Sequence, residues 1–227
     1  MIQDLHSHTR YSNCGRDEPE QVIEKAIQGG IELLGITDHN YGIGARKKQY
    51  LDEMAEMQTV YKGKIRILRG IELSTLPGQG PEKPEDIAPF DYCLIEHIDY
   101  DNTVLGLNVF DYARSLSIPA GIAHTDLFGF AEKLGIEPYE FLKKFADAGI
   151  FWEMNVNYDS IHKYREHEYV KRFCESREQQ EIVRKAGLKI GVGFDGHRVE
   201  DYLTSRVTEM NVFLERNGIE RIFENLV

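Results

Sequence analysis

Six of the chain's eight histidines stand in short polar motifs, most with a carboxylate close by. The motifs are Leu5-His6-Ser7-His8, Thr37-Asp38-His39, Glu96-His97, His124-Thr125-Asp126 and Gly193-Phe194-Asp195-Gly196-His197, joined by the acidic Gly70-Ile71-Glu72. Neutral imidazoles and carboxylates are the donor set of zinc, manganese or iron, and thiolates are too scarce for a structural Cys-type zinc site. Each motif alone has a bland reading. His6 and His8 could be a surface pair, and Asp38 could cap a helix start. Glu72 could be a solvated strand-end charge, His97 and His124 satisfied core histidines, and Asp195-Gly196 a plain turn. All of these would have to hold together, whereas one polymetal site explains the set.

Short apolar runs precede the motifs. Candidate strands cover residues 2–5, 33–37, 65–71, 92–95, 120–123, 150–155 and 189–193, alternating with helical patterns at Pro19–Gln28, 47–61, 108–116, 138–148 and 178–186. Strand–helix alternation predicts parallel βα units with right-handed crossovers. A closed barrel of the TIM type and an open doubly wound sheet both fit. In either, the strand C-termini share one face, and active sites are built there. Residues i and i+2 of a strand point the same way, so His6 and His8 can chelate one ion. Two long segments, 76–89 (rich in Pro and Gly) and 157–175 (rich in charges and aromatics), read as loops.

The 227 residues suit one sizeable domain, 1–227. A formal charge of −11 argues against long nucleic acid and anionic membranes as partners, so bound metals or local cations must attract any anionic substrate. Three scattered cysteines, Cys14, Cys93 and Cys174, and no visible signal segment favour a cytoplasmic protein without disulfides. No apolar run is long enough to span a membrane. The sequence assigns no oligomeric state.

In order and spacing, the motifs from His6 to His197 resemble the signature of the PHP family (polymerase and histidinol phosphatase). The resemblance implies a distorted TIM-like (β/α)7 barrel in the α/β class, with two or three divalent metal ions (Zn, Mn or Fe) at the C-terminal ends of the strands. Carried over, His6, His8, Glu72 and Asp195 would hold a first ion. Glu72 would bridge to a second, with His97 and His124, and His39 and His197 would hold a third. The family usually adds a His or Asp to that third ion. Here the aligned residue is Cys14, with Asp17 as an alternative that could reach in.

The expected chemistry is hydrolysis of a small phosphorylated substrate by metal-activated water, with histidinol phosphate as the leading candidate. Glu72, Asp195, His197 and Asp38 are the expected catalytic group, Asp38 by orienting a ligating histidine. His197 is one candidate for the leaving-group acid. Arg198 is the first candidate for a phosphate clamp, ahead of Arg10 and Arg46. Tyr158, His162, Tyr164, Arg165 and His167 could line the substrate mouth. The alternatives are a phosphodiesterase or nuclease acting on nucleotides or short oligonucleotides, and a non-catalytic metal-binding module. The last would need an incomplete ligand set, and only the Cys14 position departs from the expected one.

Overall fold

A computed structural model describes residues 1–224. Seven parallel strands follow one another in sequence order: β1 (Gln3–Asp4), β2 (Leu33–Ile36), β3 (Arg66–Ser74), β4 (Tyr92–Glu96), β5 (Ala120–Ile122), β6 (Phe151–Asn155) and β7 (Ile190–Gly193). The sheet curls until its edges meet. Leu5 N–H donates to Val192 O (2.7 Å), Asp195 N–H to His6 O (2.7 Å) and His8 N–H to Gly196 O (2.8 Å). The result is the expected distorted (β/α)7 barrel, nearly closed, and the open sheet is excluded.

Among the described residues ten helices surround it: α1 (Pro19–Gln28), α2 (Asn40–Ile43), α3 (Lys47–Val60), α4 (Pro84–Ile87), α5 (Val109–Ser115), α6 (Leu127–Leu134), α7 (Pro138–Asp147), α8 (Glu168–Glu175), α9 (Arg177–Ala186) and α10 (Thr204–Arg216). Local signals set several of their ends. Pro19 and Pro138 start α1 and α7 at positions where a missing N–H costs nothing. The Ser176 hydroxyl accepts from Gln179 N–H (3.2 Å) to open α9, and Gly187 closes it at φ 69°. No helix among the described residues is long and apolar enough to cross a membrane.

Outward-facing Ile71, Ile95, Trp152, Met154 and Val192 pack under the helices in the main core. A second, smaller core plugs the barrel interior: Leu5, Leu33, Leu68, Tyr92, Leu94, Ala123 and Phe151. Its two large rings need space that glycine provides. A Cβ at Gly35 would lie 1.8 Å from the Tyr92 hydroxyl, and one at Gly121 2.2 Å from the Phe151 ring.

Three expectations need correction. The segment 157–175 is not loop throughout, because residues 168–175 form α8, burying Tyr169, Val170 and Phe173 under a dense covering of charge. Segment 76–89 likewise contains α4. The third strand runs on to Ser74, so Glu72 lies within it, paired with Leu94 across the sheet, and not after its end.

Candidate metal centre

Strand periodicity carries the inward face from apolar to acidic. Along β3 it reads Leu68, Gly70, Glu72; along β4, Tyr92, Leu94, Glu96; along β6, Phe151, Glu153. Glu72, 1% exposed, reaches the centre of the mouth. Its Oε2 lies 3.3 Å from His6 Nε2, 3.4 Å from His8 Nε2 and 2.9 Å from His39 Nδ1, while Oε1 meets His124 Nε2 at 3.1 Å. Asp195 Oδ1 approaches His8 Nε2 (3.0 Å), His6 Nε2 (3.5 Å) and His197 Nε2 (3.7 Å). His97 contacts Glu96 (3.2 Å), and its ring centroid is 6.1 Å from that of His124. The Cys14 sulfur lies within 4.8 Å of a donor atom of both His8 and His39. The structure thus brings together every residue of the expected ligand set.

A divalent ion fits this donor set on a direct observation. His39 Nδ1, Glu72 Oε2, Glu96 Oε1 and His97 Nδ1 are buried without a hydrogen-bond partner. His39 Nδ1 and Glu72 Oε2 are 2.9 Å apart yet not aligned to bond each other. Buried polar atoms are almost always satisfied, and a cluster of imidazole and carboxylate lone pairs left unpaired has the donor chemistry that suits a divalent cation. Compact groups of potential ligand atoms occur at His6–His8–Asp195, His39–Glu72–Glu96, His8–Cys14–His39 and Asp159–His162–His197.

The electrostatics follow. Burial alone would raise the Glu72 and Asp195 carboxyls, but the surrounding histidines outweigh it and hold both well below the carboxylate range. Burial, reinforced by Glu72, pushes Glu96 up instead. Burial drives His8 down to about 3, leaving it a neutral donor. Burial would raise the Cys14 thiol as well, but the neighbouring His197 and His39 imidazoles outweigh it and bring it down to about 7.

Strain marks the same place. His97, His124 and Asp195 have φ of 64°, 27° and 57°, a region L-residues rarely adopt. All three leave strand ends with their side chains turned to the cluster, where function commonly stores backbone strain.

A second ring of carboxylates aims the histidines. His6 Nδ1 donates to Glu153 Oε1 (2.7 Å), and His197 Nδ1 to Asp159 Oδ2 (3.1 Å). His8 Nδ1 donates to Ser12 Oγ (3.1 Å). Each bond leaves the Nε2 lone pair for the cluster. Asp38 touches no ligating histidine. It accepts from the backbone and hydroxyl of both Thr9 and Ser12, so it acts on His8 through Ser12. Sequence reading missed Glu153 and Asp159. A charge inside the apolar run Phe151–Asn155 was the available signal for the first; Asp159 had none. The remaining two histidines also reach the mouth. His162 donates to Asp159 Oδ1 (2.8 Å), and His167 stacks on His124 at 6.2 Å.

The three candidate arginines separate. Arg10 binds Glu18 and Glu53, and Arg46 binds the carbonyls of Tyr11 (2.8 Å) and Gly42 (2.7 Å); both lie against the Tyr11 ring. These contacts tie down the loop after β1. Arg198 keeps a buried, unpartnered Nε beside His197. In the segment after β6, the Tyr158 and Tyr164 rings pack against one another at a tilt (centroids 5.6 Å apart, 56° between planes).

The sequence matches the PHP domain over residues 4–211. It is 42% identical over 60 residues to a phosphoribosyl 1,2-cyclic phosphate 1,2-diphosphodiesterase of Eggerthella lenta, an alignment covering 26% of this chain and 22% of that one. A probable phosphatase of Acetivibrio thermocellus is 23% identical over 210 residues, 87% of this chain and 80% of its own. An uncharacterized Methanocaldococcus jannaschii protein is 31% identical over 80 residues, 31% of this chain and 47% of its own. The chain thus aligns with less than half the length of two of these three relatives. Among solved structures, the histidinol phosphate phosphatase of Lactococcus lactis, complexed with zinc, L-histidinol and phosphate, superposes with a TM-score of 0.63 at 18% identity, over 97% of this chain and 95% of that one. A putative histidinol phosphatase from Listeria monocytogenes gives 0.55 at 14%, over 88% and 96%. With a match running over nearly its whole length, the chain belongs to the PHP domain family.

Proposed function

We propose that this protein hydrolyses small phosphate esters with divalent ions held at the mouth of its barrel. The observation that carries the reading is the convergence of His6, His8, His39 and His124 on Glu72, with lone pairs left unpartnered at the centre. His6, His8, Glu72 and Asp195 would hold one ion, Glu72 with His97 and His124 a second, and His39 and His197 would contribute to a third. Bound there, divalent ions supply an activated water and neutralise phosphoryl charge, which a chain of net charge −11 otherwise repels. Glu153, Asp159 and Ser12 fix the tautomers of His6, His197 and His8, so no reorganisation is needed when substrate arrives.

Beside His97 and His124 opens a cleft of about 400 Å³, lined also by Tyr100, Asp126, His167 and Arg172. It is sized for a small leaving group. A comparable cavity of about 380 Å³ against α8 and α10 contains none of the ligand residues. The zinc, L-histidinol and phosphate of the Lactococcus structure support a phosphomonoester such as histidinol phosphate. The Eggerthella relative supports a second reading, a small phosphodiester. The test is elemental analysis followed by turnover on L-histidinol phosphate, other phosphomonoesters, cyclic phosphodiesters and dinucleotides. Stoichiometric metal with monoester turnover is expected. A preference for diesters selects the second reading. Protein that binds no stoichiometric metal, or gives no turnover above free metal after reconstitution, refutes the function.

A further inference from the structure

We propose that Cys14 is a thiolate ligand, and that the position it shares with His39 and His197 therefore takes a thiophilic divalent ion, zinc in preference to manganese or magnesium. This rests on the metal-cluster reading above and goes beyond it, to which ion one position selects.

Three observations place the thiol there. First, its sulfur and one donor atom each of His8 and His39 lie within 4.8 Å of one another, and the His39 and His197 rings flank that of His8 at 4.6 Å each. Second, Glu72 Oε2, 1% exposed and without a hydrogen-bond partner, faces the same His8 and His39 at 3.4 and 2.9 Å. Third, the loop carrying Cys14 is built to hold it in place. Asp38 anchors Thr9 and Ser12, and Gly15 packs so closely that a Cβ there would lie 2.3 Å from Thr9 O.

The other donor within reach in sequence, Asp17, belongs to no ligand group among the described residues. Asp17 Oδ2 accepts from Val199 N–H (2.7 Å), latching this loop to the segment that carries His197. Asp17 thus frames the position, and Cys14 fills it. Cys93 lies in the core under the helices, and Cys174, on α8, packs partly buried against that core; neither belongs to a ligand group among the described residues. A thiolate with imidazoles is a soft donor set, which zinc and cobalt accept and manganese and magnesium disfavour.

The test uses metal-free full-length protein titrated with cobalt, read by absorption and not by turnover. Wild type and Cys174→Ser should both develop a sulfur-to-cobalt charge-transfer band. Cys14→Ser and Cys14→Asp should lack it while still binding cobalt at the remaining positions. In parallel, zinc should reduce iodoacetamide labelling of Cys14, mapped by mass spectrometry, to the level of buried Cys93, and manganese should not. Cys14→Asp should lower the zinc-over-manganese preference on the order of 10–100-fold, the size typical when a ligand environment is altered. A cobalt-loaded wild type without the band, a band that persists in Cys14→Ser, or Cys14 labelling unchanged by zinc overturns the proposal. If any of these occurs in protein that hydrolyses phosphate esters, only the thiolate assignment falls. A sulfur–cobalt band in protein without esterase activity would remove the function and leave the ligand.

Discussion

The floor and the mouth of this barrel are made by the same strands, and their demands are opposite. At the floor, Leu68, Tyr92 and Phe151 bury apolar surface, and the Tyr92 hydroxyl donates to Leu5 O (2.5 Å). Two or four residues further along the same inward face, Glu72, Glu96 and Glu153 crowd carboxylates among histidines. Uncompensated, buried like charges cost several kcal/mol each. The lesson is a division of labour along a single strand: the lower half supplies the stability that the upper half consumes.

The comparison can be broken at either end. The largest effect is expected at the mouth. Glu72→Gln keeps the shape and removes the charge that four histidines share. Metal stoichiometry should fall and hydrolysis drop to free-metal background, while melting of the metal-free protein is unchanged or rises. Unchanged turnover would refute the bridging role. Phe151→Ala attacks the floor, with an expected loss of about 3–5 kcal/mol in denaturant unfolding, the usual cost of emptying a core aromatic site. That loss should be the same with and without metal; a metal-dependent loss would mean the two ends are not separable.

These outcomes bear on what could be read from the chain. The clustered histidines, Glu72 and Asp195 were legible because each sits in or beside a short apolar run, and parallel strands deliver their C-termini to one face. Glu153 and Asp159 were not, since a lone carboxylate acquires meaning only from the histidine it meets 147 or 38 residues away. Helix α10 escaped for a different reason. Its buried Val207, Met210, Asn211 and Leu214 follow helical spacing, but among the described residues no strand follows it to bracket it. Helix α8 was masked by charge, and its three buried side chains show themselves only once the barrel wall behind them is in place.

Two smaller effects sharpen the contrast. Glu153→Gln leaves the His6 ring with a weaker partner and should cost about 10–100-fold in metal affinity or turnover, measured by competition with a chromophoric chelator. A loss of stability without a change in affinity would make Glu153 a structural group. Smallest of all, Arg10→Ala should shift stability by no more than about 1 kcal/mol, as for other partly exposed ion pairs, and leave KM unchanged. A rise in KM would restore Arg10 as a substrate contact. Across the set, acidification should strip metal before it unfolds the floor, because imidazoles must be neutral to ligate.

The backbone at His97, His124 and Asp195 has a consequence for how such a protein can vary. Where φ is positive, glycine is the replacement the main chain tolerates best, yet it offers nothing to an ion. A library scored for cellular abundance and the same library scored for turnover should therefore rank glycine at opposite extremes at these three positions.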